Sequence, residues 1–172
     1  MKEKIEEKEQ EEWKNETGAT SRLGEYVKVK KKLEFEIYLR LENSEARRLI
    51  SRVRCGGGDL RVESARGVNR LERKERVCEV CGNGEVEDER HALLRCPAYA
   101  DLRQRWGDQF RAGTDGVVKW EEMDDDGIVG VMMASKELVP DALRKRAAGV
   151  AGAMLAQLFA RRTEVLGMRR AG

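Results

Sequence analysis

The apolar residues near the C-terminus recur at helical intervals. Four or seven positions separate them, so each returns to the same face of an α-helix. They are Leu143, Val150, Met154, Leu158 and Val165. Pro140 and Asp141 come just before them and are typical of a helix start. The pattern predicts a long amphipathic helix at the C-terminal end of the chain.

Residues 33–41 show another pattern, in which every second residue is apolar. A period of two is typical of a half-buried strand. However, Lys, Glu, Leu and Arg dominate this stretch and are good helix formers, and no tight turn or second strand follows it. We predict a helix over 23–42, with a strand at 33–41 as the alternative.

A shorter helix is predicted after Asn43. The Ser44 side chain can cap the first amides of a turn that runs from Glu45 to Arg54. Its buried stripe would consist of Leu49, Ile50 and Val53. Three glycines at 56–58 then end the helix and form a flexible joint.

Another helix is predicted at Pro97, because proline is favoured in the first turn of a helix. It would continue through Tyr99, Leu102 and Trp106. Together these elements predict a mainly α protein, with short helices around a small cysteine and histidine module and a long C-terminal helix. The predicted segments are a charged and disordered 1–20, a basic helical 21–77, the module at 78–108, an acidic loop at 109–139 and the C-terminal helix at 140–172.

Charge is distributed in blocks along the 172 residues, although the net charge of the chain is only +2. Segment 21–77 holds sixteen basic and nine acidic residues, whereas 78–130 holds six basic and thirteen acidic residues. Blocks of this kind indicate separate surfaces. The longest apolar stretch, 147–160, is shorter than the ~20 residues that span a bilayer. We therefore expect an intracellular protein, nuclear or cytoplasmic, whose clustered cysteines indicate a metal before a disulfide.

The candidate metal ligands are Cys78, Cys81, His91 and Cys96, spaced C-x2-C-x9-H-x4-C. Zinc prefers four such donors in a tetrahedron, and a shell closed by four protein ligands leaves no position for a reactive water. The spacing predicts one structural zinc ion. Unrelated buried thiols and a redox C-x2-C pair are the alternatives. Cys55 has no partner at ligand spacing and is interpreted as a free or partly buried thiol.

The sequence around these ligands resembles the zinc knuckle near the C-terminus of LINE-type (non-LTR) retrotransposon reverse transcriptase polyproteins. The likeness covers 71–106 and extends more loosely over 13–70. It is carried by Arg76-Val77-Cys78-Glu79-Val80-Cys81, Glu85 to His91, Leu94-Arg95-Cys96-Pro97-Ala98-Tyr99 and Leu102-Arg103, and upstream by Gly24-Glu25-Tyr26, Lys30 to Lys32, Glu36 to Leu39, Arg47 to Arg54 and Arg61 to Arg66.

In that family the region follows the polymerase and is thought to help hold template RNA or target DNA, so the resemblance implies the same four metal ligands and a nucleic-acid partner. The nine-residue gap before His91 is longer than in retroviral nucleocapsid knuckles, so their base-binding mode does not transfer. No polymerase is present in the chain. The Asp124-Asp125-Asp126 run lacks flanking apolar strands and is interpreted as a solvated loop or helix cap. The chain thus resembles the detached C-terminal end of such an element.

The basic stretch before the module predicts phosphate contacts, with RNA or DNA as the partner. Near Tyr26, Phe35 and Tyr38 the lysines could combine backbone attraction with base stacking. The alternative is a solvated helix face with its aromatic side chains in the core. The candidate nucleic-acid-binding residues are Lys28, Lys30, Lys31, Lys32, Arg47, Arg48, Arg52, Arg54, Arg61, Arg66, Arg70, Arg73, Lys74 and Arg76.

No enzymatic motif accompanies these features. The single histidine is assigned to the metal, which excludes a Ser-His-Asp or Cys-His arrangement, and no phosphate-binding Gly-x4-Gly-Lys loop is present. We predict a zinc-dependent, non-enzymatic nucleic-acid-binding module. The alternative is a zinc-stapled structural or protein-interaction module that packs or self-associates through the 140–166 helix, or an element remnant without a selected function.

Overall fold

The computed structural model describes residues 2–20, 23–57, 59–64, 71–135 and 137–171. Over these ranges the chain is mostly helical and contains no β-strand, so the prediction of a mainly α protein with a long C-terminal helix is confirmed. The α-helices of these ranges are α1 (Lys2–Ala19), α2 (Gly24–Val29), α3 (Ser44–Arg54), α4 (Arg61–Ser64), α5 (Ala100–Gly113), α6 (Asp125–Met132) and α7 (Arg144–Ala171).

Single helical turns connect these helices. Their bounds are Ile37–Arg40, Arg73–Glu75, Pro97–Tyr99, Trp120–Glu122 and Asp141–Leu143, all of 3₁₀ type, and the π-type turn His91–Arg95. The turn at Pro97 leads directly into α5, as the proline predicts. None of the helices in the described ranges is both long and apolar enough to cross a membrane.

Helix α7 is the centre of the fold, because α3, α5 and α6 all pack against it. Its buried residues are mostly small, which lets the neighbouring helices approach closely; they are Ala147, Ala148, Ala151, Gly152, Met154, Leu155 and Leu158. Met154 and Leu158 are covered by the chain's own core. Self-association through the 140–166 helix, if it occurs, would have to use other residues of that helix, because these two side chains do not reach the surface.

The crossing of α3 and α7 leaves no room for a side chain at Gly152. A Cβ atom there would lie 2.4 Å from the Cβ of Ala46 and 3.0 Å from its Cα. We expect Gly152→Ala to destabilise the protein by about 1–3 kcal/mol, because overpacking forces the two helices apart. Urea-induced unfolding measures this loss.

Gly167 provides the matched control on the same helix, since a Cβ atom there meets nothing within 4 Å. Gly167→Ala should stabilise the protein by up to ~1 kcal/mol through helix propensity alone. Equal effects of the two substitutions would contradict the close approach of α3 and α7.

The cap of helix α3 lies one residue earlier than predicted. The Asn43 side chain, not that of Ser44, accepts a hydrogen bond from the Ala46 amide at 3.0 Å. Ser44 is already the first helical residue, so its side chain cannot be the cap. The predicted stripe is confirmed, because Leu49, Ile50 and Val53 are all buried.

The predicted continuous helix over 23–42 is wrong, because only its two ends contain helical turns. Only α2 and the turn Ile37–Arg40 are helical, and the alternative strand is not formed either. The Lys30 ammonium donates to the Glu34 carbonyl at 2.7 Å and pairs with the Glu36 carboxylate, which holds 30–36 in a compact non-helical path.

The acidic loop predicted at 109–139 also needs correction, since it contains the end of α5, the turn Trp120–Glu122 and all of α6. The Asp124 side chain accepts from the Gly127 amide at 2.8 Å and caps α6, so the interpretation of this aspartate run as a helix cap is confirmed. At the other end of the chain, the segment predicted to be charged and disordered is helical over Lys2–Ala19 as α1, and Trp13 contacts the Tyr26 ring edge-on.

Candidate metal centre

The structure brings the predicted ligands Cys78, Cys81, His91 and Cys96 into one cluster, which we call the Cys3His cluster. Their ligand atoms all lie within 4.8 Å of one another. The Sγ atoms of Cys78 and Cys96 are 3.9 Å apart, and the Cys81 Sγ lies 3.5 Å from the His91 Nε2. Cys78, His91 and Cys96 are buried, and Cys81 is half-buried.

These distances fit a tetrahedral metal. With Zn–S bonds of about 2.3 Å and Zn–N bonds of about 2.0 Å, tetrahedral geometry places two sulfurs about 3.8 Å apart and a sulfur about 3.5 Å from a nitrogen. The two measured separations, 3.9 and 3.5 Å, agree with these values. The four donors could therefore hold a metal ion, and two of their separations match those of a tetrahedral site.

A tight backbone turn positions the first two cysteines. It is closed by a bridge between Val77 and Val86, and by a hydrogen bond of 3.0 Å from the Gly82 amide to the Cys78 carbonyl. Gly82 and Gly84 have φ angles of +73° and +78°, which a side chain would disfavour. Glycine at these two positions therefore allows the left-handed backbone that follows the C-x2-C turn.

Backbone amides also point at the sulfurs. The amides of Cys81, Asn83 and Ala98 donate hydrogen bonds to the thiol sulfurs of Cys78, Cys81 and Cys96, respectively. Such bonds favour the thiolate, which is the form that binds a metal. At Cys78 and Cys81 these bonds do not outweigh burial and the neighbouring thiols, so the pKa of both stays above its ordinary value, and only the pKa of Cys96 is lowered.

The other two ligands sit on a π-type turn. The Asp88 carboxylate accepts from the His91 amide at 2.9 Å and fixes the start of the turn. The Cys96 amide then donates to the His91 carbonyl at 2.7 Å, across a ring one residue wider than an α-helical turn. This wide turn lets residues five positions apart face the same ion.

Protonation of the thiols opposes metal binding. The hydrogen bond between Cys78 and Cys96 raises the pKa of Cys78 and lowers the pKa of Cys96, and burial adds to the rise at Cys78. Burial also raises the pKa of Cys81. A metal ion must therefore displace protons from at least two sulfurs when it binds.

Glu85 is a functional residue that the sequence did not reveal. Its Oε2 lies 2.7 Å from the His91 Nδ1. Because a carboxylate oxygen accepts a hydrogen bond, Nδ1 carries the proton, and the lone pair of Nε2 faces the cluster. A carboxylate in this position orients the imidazole and makes it a better ligand. Sequence spacing could not single out Glu85 from the other acidic residues between Cys81 and His91.

Replacing Glu85 by Gln should weaken metal affinity by about 10- to 100-fold, because the histidine loses its anionic partner. Competition with a chromophoric chelator measures the affinity. Glu79→Gln is the control, since Glu79 pairs with Arg61 at 3.2 Å and no contact joins it to His91. An unchanged affinity in Glu85→Gln would remove Glu85 from the site.

The cluster is fastened to α7 by a second unpredicted contact. Both oxygens of the fully buried Glu87 carboxylate accept from Arg162 of α7 at 2.9 Å, and Oε2 also accepts from the Arg61 amide at 2.8 Å. A bidentate pair of this kind fixes orientation as well as distance. The chain between the two ligand pairs is thus held to the central helix.

Two of the predicted nucleic-acid-binding residues are buried, so the prediction of an external role is wrong for them. Lys30 and Arg54 are buried, and both pair with the Glu36 carboxylate, Arg54 at 3.1 Å. Arg54 also lies over the rings of Tyr26 and Tyr38. Their charges are used inside the fold, because a buried carboxylate needs cationic partners. Neither residue can reach a phosphate.

The other predicted basic residues fall into four groups. Lys28, Arg48, Arg52, Arg61, Arg73 and Lys74 each pair with a carboxylate of the chain. Arg47 and Arg76 are half-buried and donate to backbone carbonyls. Arg66 and Arg70 lie outside the described residues. Lys31 and Lys32 are exposed, and no carboxylate of the described ranges pairs with them.

Comparison with known proteins adds no relative. No protein-family model matches the sequence, and no curated protein or solved structure matches it. The conclusions about function therefore depend on the chain's own residues, and on the motif resemblance as a hypothesis.

Proposed function

We propose that the protein is a zinc-stabilised, non-enzymatic module that binds nucleic acid. The observation that carries the zinc assignment is the Cys3His cluster, whose spacing fits a tetrahedral ion and whose histidine has a carboxylate on its second nitrogen. Three thiolates and an imidazole are soft and borderline donors, which favour zinc over magnesium or calcium.

A structural role for the zinc follows from the number of donors. Four protein ligands fill a tetrahedron, so a bound ion would keep no water to activate. The ion would instead join the turn at 78–81 to the turn at 91–96 and, through Glu87 and Arg162, to α7. This supports a binding module over a hydrolytic enzyme.

Nucleic acid is the partner that the surface charge supports best. Segment 21–77 has a large excess of basic residues, and Lys31 and Lys32 keep their charges free for an external anion. The resemblance to the knuckle region of non-LTR retrotransposon polyproteins points to the same partner. We propose an origin in such an element on the same grounds.

A salt titration tests the nucleic-acid proposal. The zinc-loaded chain should bind fluorescently labelled RNA or DNA, and log K should fall linearly with log salt, because phosphate contacts release counterions. A chain with Lys31 and Lys32 changed to Gln should show a shallower slope, whereas Arg48→Gln should not. Absence of binding at low salt would refute the proposal.

A further inference from the structure

We infer that the surface formed by residues 31–40 binds single-stranded nucleic acid, with a base stacked on Phe35. We call it the 31–40 surface. The inference rests on the proposed function. It specifies that the nucleic acid is single-stranded, and it names the residues that contact the strand. It is carried by the exposure of three apolar and three cationic side chains within one ten-residue segment, and by the contact between Arg40 and Phe35.

Three large apolar side chains are exposed on the 31–40 surface. Leu33 is 50% exposed, Phe35 57% and Leu39 46%. Their neighbours Tyr38 and Leu41 are buried in the core, so the segment divides its apolar residues between the interior and solvent. A contiguous group of exposed apolar side chains with a polar rim marks a binding surface.

Three cations border these apolar residues. Lys31, Lys32 and Arg40 are exposed, and within the described part of the chain none of them pairs with a carboxylate. Most other basic residues of segment 21–77 are neutralised by an acidic partner or buried. Among the described residues of this segment, the cations without a carboxylate partner are therefore concentrated on the 31–40 surface, which also carries the exposed Glu34.

Phe35 and Arg40 are already arranged as a stacking pair. The guanidinium carbon of Arg40 lies 4.8 Å from the centroid of the Phe35 ring. A cation on one face of a ring fixes its orientation, and more than half of the Phe35 surface stays accessible. A ring held in this way is a platform for a nucleobase, and its neighbouring cations can meet the phosphates.

The backbone under the 31–40 surface is held by α1. The Gln10 side chain accepts from the Leu33 amide at 2.7 Å and donates to the Lys31 carbonyl at 3.4 Å. One amide group therefore fixes the bend at 31–33. A pre-formed backbone reduces the ordering cost of binding.

Single strands fit this surface better than duplexes. A duplex presents phosphates but keeps its base faces stacked inside, so it can use the cations and not Phe35. A single strand offers both a phosphate chain and accessible π-faces, which match the cations and the aromatic ring together. The charge pattern and the apolar pattern thus select the same partner.

Fluorescence anisotropy with the zinc-loaded full chain tests the inference. The probes are a labelled oligothymidylate and a labelled duplex of equal length, and the oligothymidylate should bind more tightly. Phe35→Ala should weaken oligothymidylate binding by about 5- to 100-fold, the range expected for one stacked base, and should change duplex binding little. Phe35→Trp should retain or improve it.

Two further variants serve as controls. Lys119→Gln removes a cation that is exposed but paired with Glu122, and should leave both affinities unchanged. Lys31→Gln with Lys32→Gln should lower the salt slope for the single strand by about 0.7 per lost contact. Each variant should retain the fold, because the substituted side chains are exposed. Thermal unfolding of each variant checks this.

The outcomes separate the two proposals. Equal affinity for both probes and no effect of Phe35→Ala would overturn the inference and leave the proposed function standing. Binding of neither probe would overturn both. If neither probe binds but the chain co-floats with anionic phospholipid vesicles in a Phe35-dependent way, the 31–40 surface is a membrane surface and both proposals are wrong.

Discussion

Replacing Cys78 by Ser should abolish binding of one metal ion per chain and lower the thermal stability of the protein. Cys78 is buried beside Cys96, and a serine hydroxyl cannot supply the thiolate that the tetrahedral site requires. Structural zinc supplies about 10–16 kcal/mol of apparent folding free energy in zinc-finger peptides. We expect a smaller loss here, because the apolar residues buried around α7 contribute stability of their own.

Metal analysis by mass spectrometry and thermal unfolding with and without chelator measure the two effects. The matched control is Cys55→Ser, the same substitution at an exposed cysteine outside the Cys3His cluster. The control should keep its metal and its melting temperature, and chelator should bring the wild type close to the Cys78→Ser variant. A wild type that is folded and free of zinc would refute the site.

The stability conferred by the metal should also depend on pH. Because burial and hydrogen bonding raise the pKa of Cys78, and burial that of Cys81, protons compete with the ion for these sulfurs. Metal affinity should therefore fall as the pH is lowered and rise as it is raised through neutrality. The chelator-sensitive part of the melting temperature should shrink at acidic pH, whereas Cys78→Ser should lack this component throughout.

Glu36→Gln should be among the most destabilising single substitutions outside the metal site. The Glu36 side chain is 9% exposed and lies between two buried cations, Lys30 and Arg54. Glutamine has nearly the same shape but no charge, so both cations would remain buried without a counterion. Breaking a buried ion pair from one side costs about 3–5 kcal/mol. Chemical denaturation measures the loss.

Glu42→Gln is the control for this experiment. The Glu42 side chain is 96% exposed, and its ion pair with Lys145 is long, at 3.6 Å. The same change of charge should therefore not alter the free energy of unfolding measurably. Similar effects of the two substitutions would show that Glu36 is not buried between the cations. Replacing all three residues of the buried group by apolar residues should recover part of the loss, because no charge would then remain in the interior.

The elements predicted from sequence are those set by local spacing. The C-terminal helix, the buried stripe of α3 and the helix after Pro97 follow from periodicities and start signals that act within a few residues. The metal ligands are equally local, because Cys78 and Cys81 share one turn, and His91 and Cys96 share another. For these features the sequence alone was sufficient.

Contacts between distant residues decided the rest. The sequence does not show whether a basic side chain is exposed to solvent or paired with a carboxylate. In the folded chain Arg54 pairs with Glu36 and donates a hydrogen bond to the carbonyl of Met133, which is 79 residues away in sequence. The same contacts prevented 23–42 from forming one helix, because Lys30 and Glu36 must turn inward together. The pairing of Glu87 with Arg162 is likewise a tertiary event, since 75 residues separate them.

The sequence by itself thus determined the donor set of the candidate metal site, because the side chains that could hold the ion follow from short-range spacing. The tertiary structure decided which charges remain available to a partner. Burial and long-range pairing neutralise most of the basic segment, and the exposed cations at Lys31, Lys32 and Arg40 are left beside Phe35. A charged side chain can bind an external partner only if no group of the folded chain already pairs with it. Contacts between residues distant in sequence decide this, so the sequence alone does not show it.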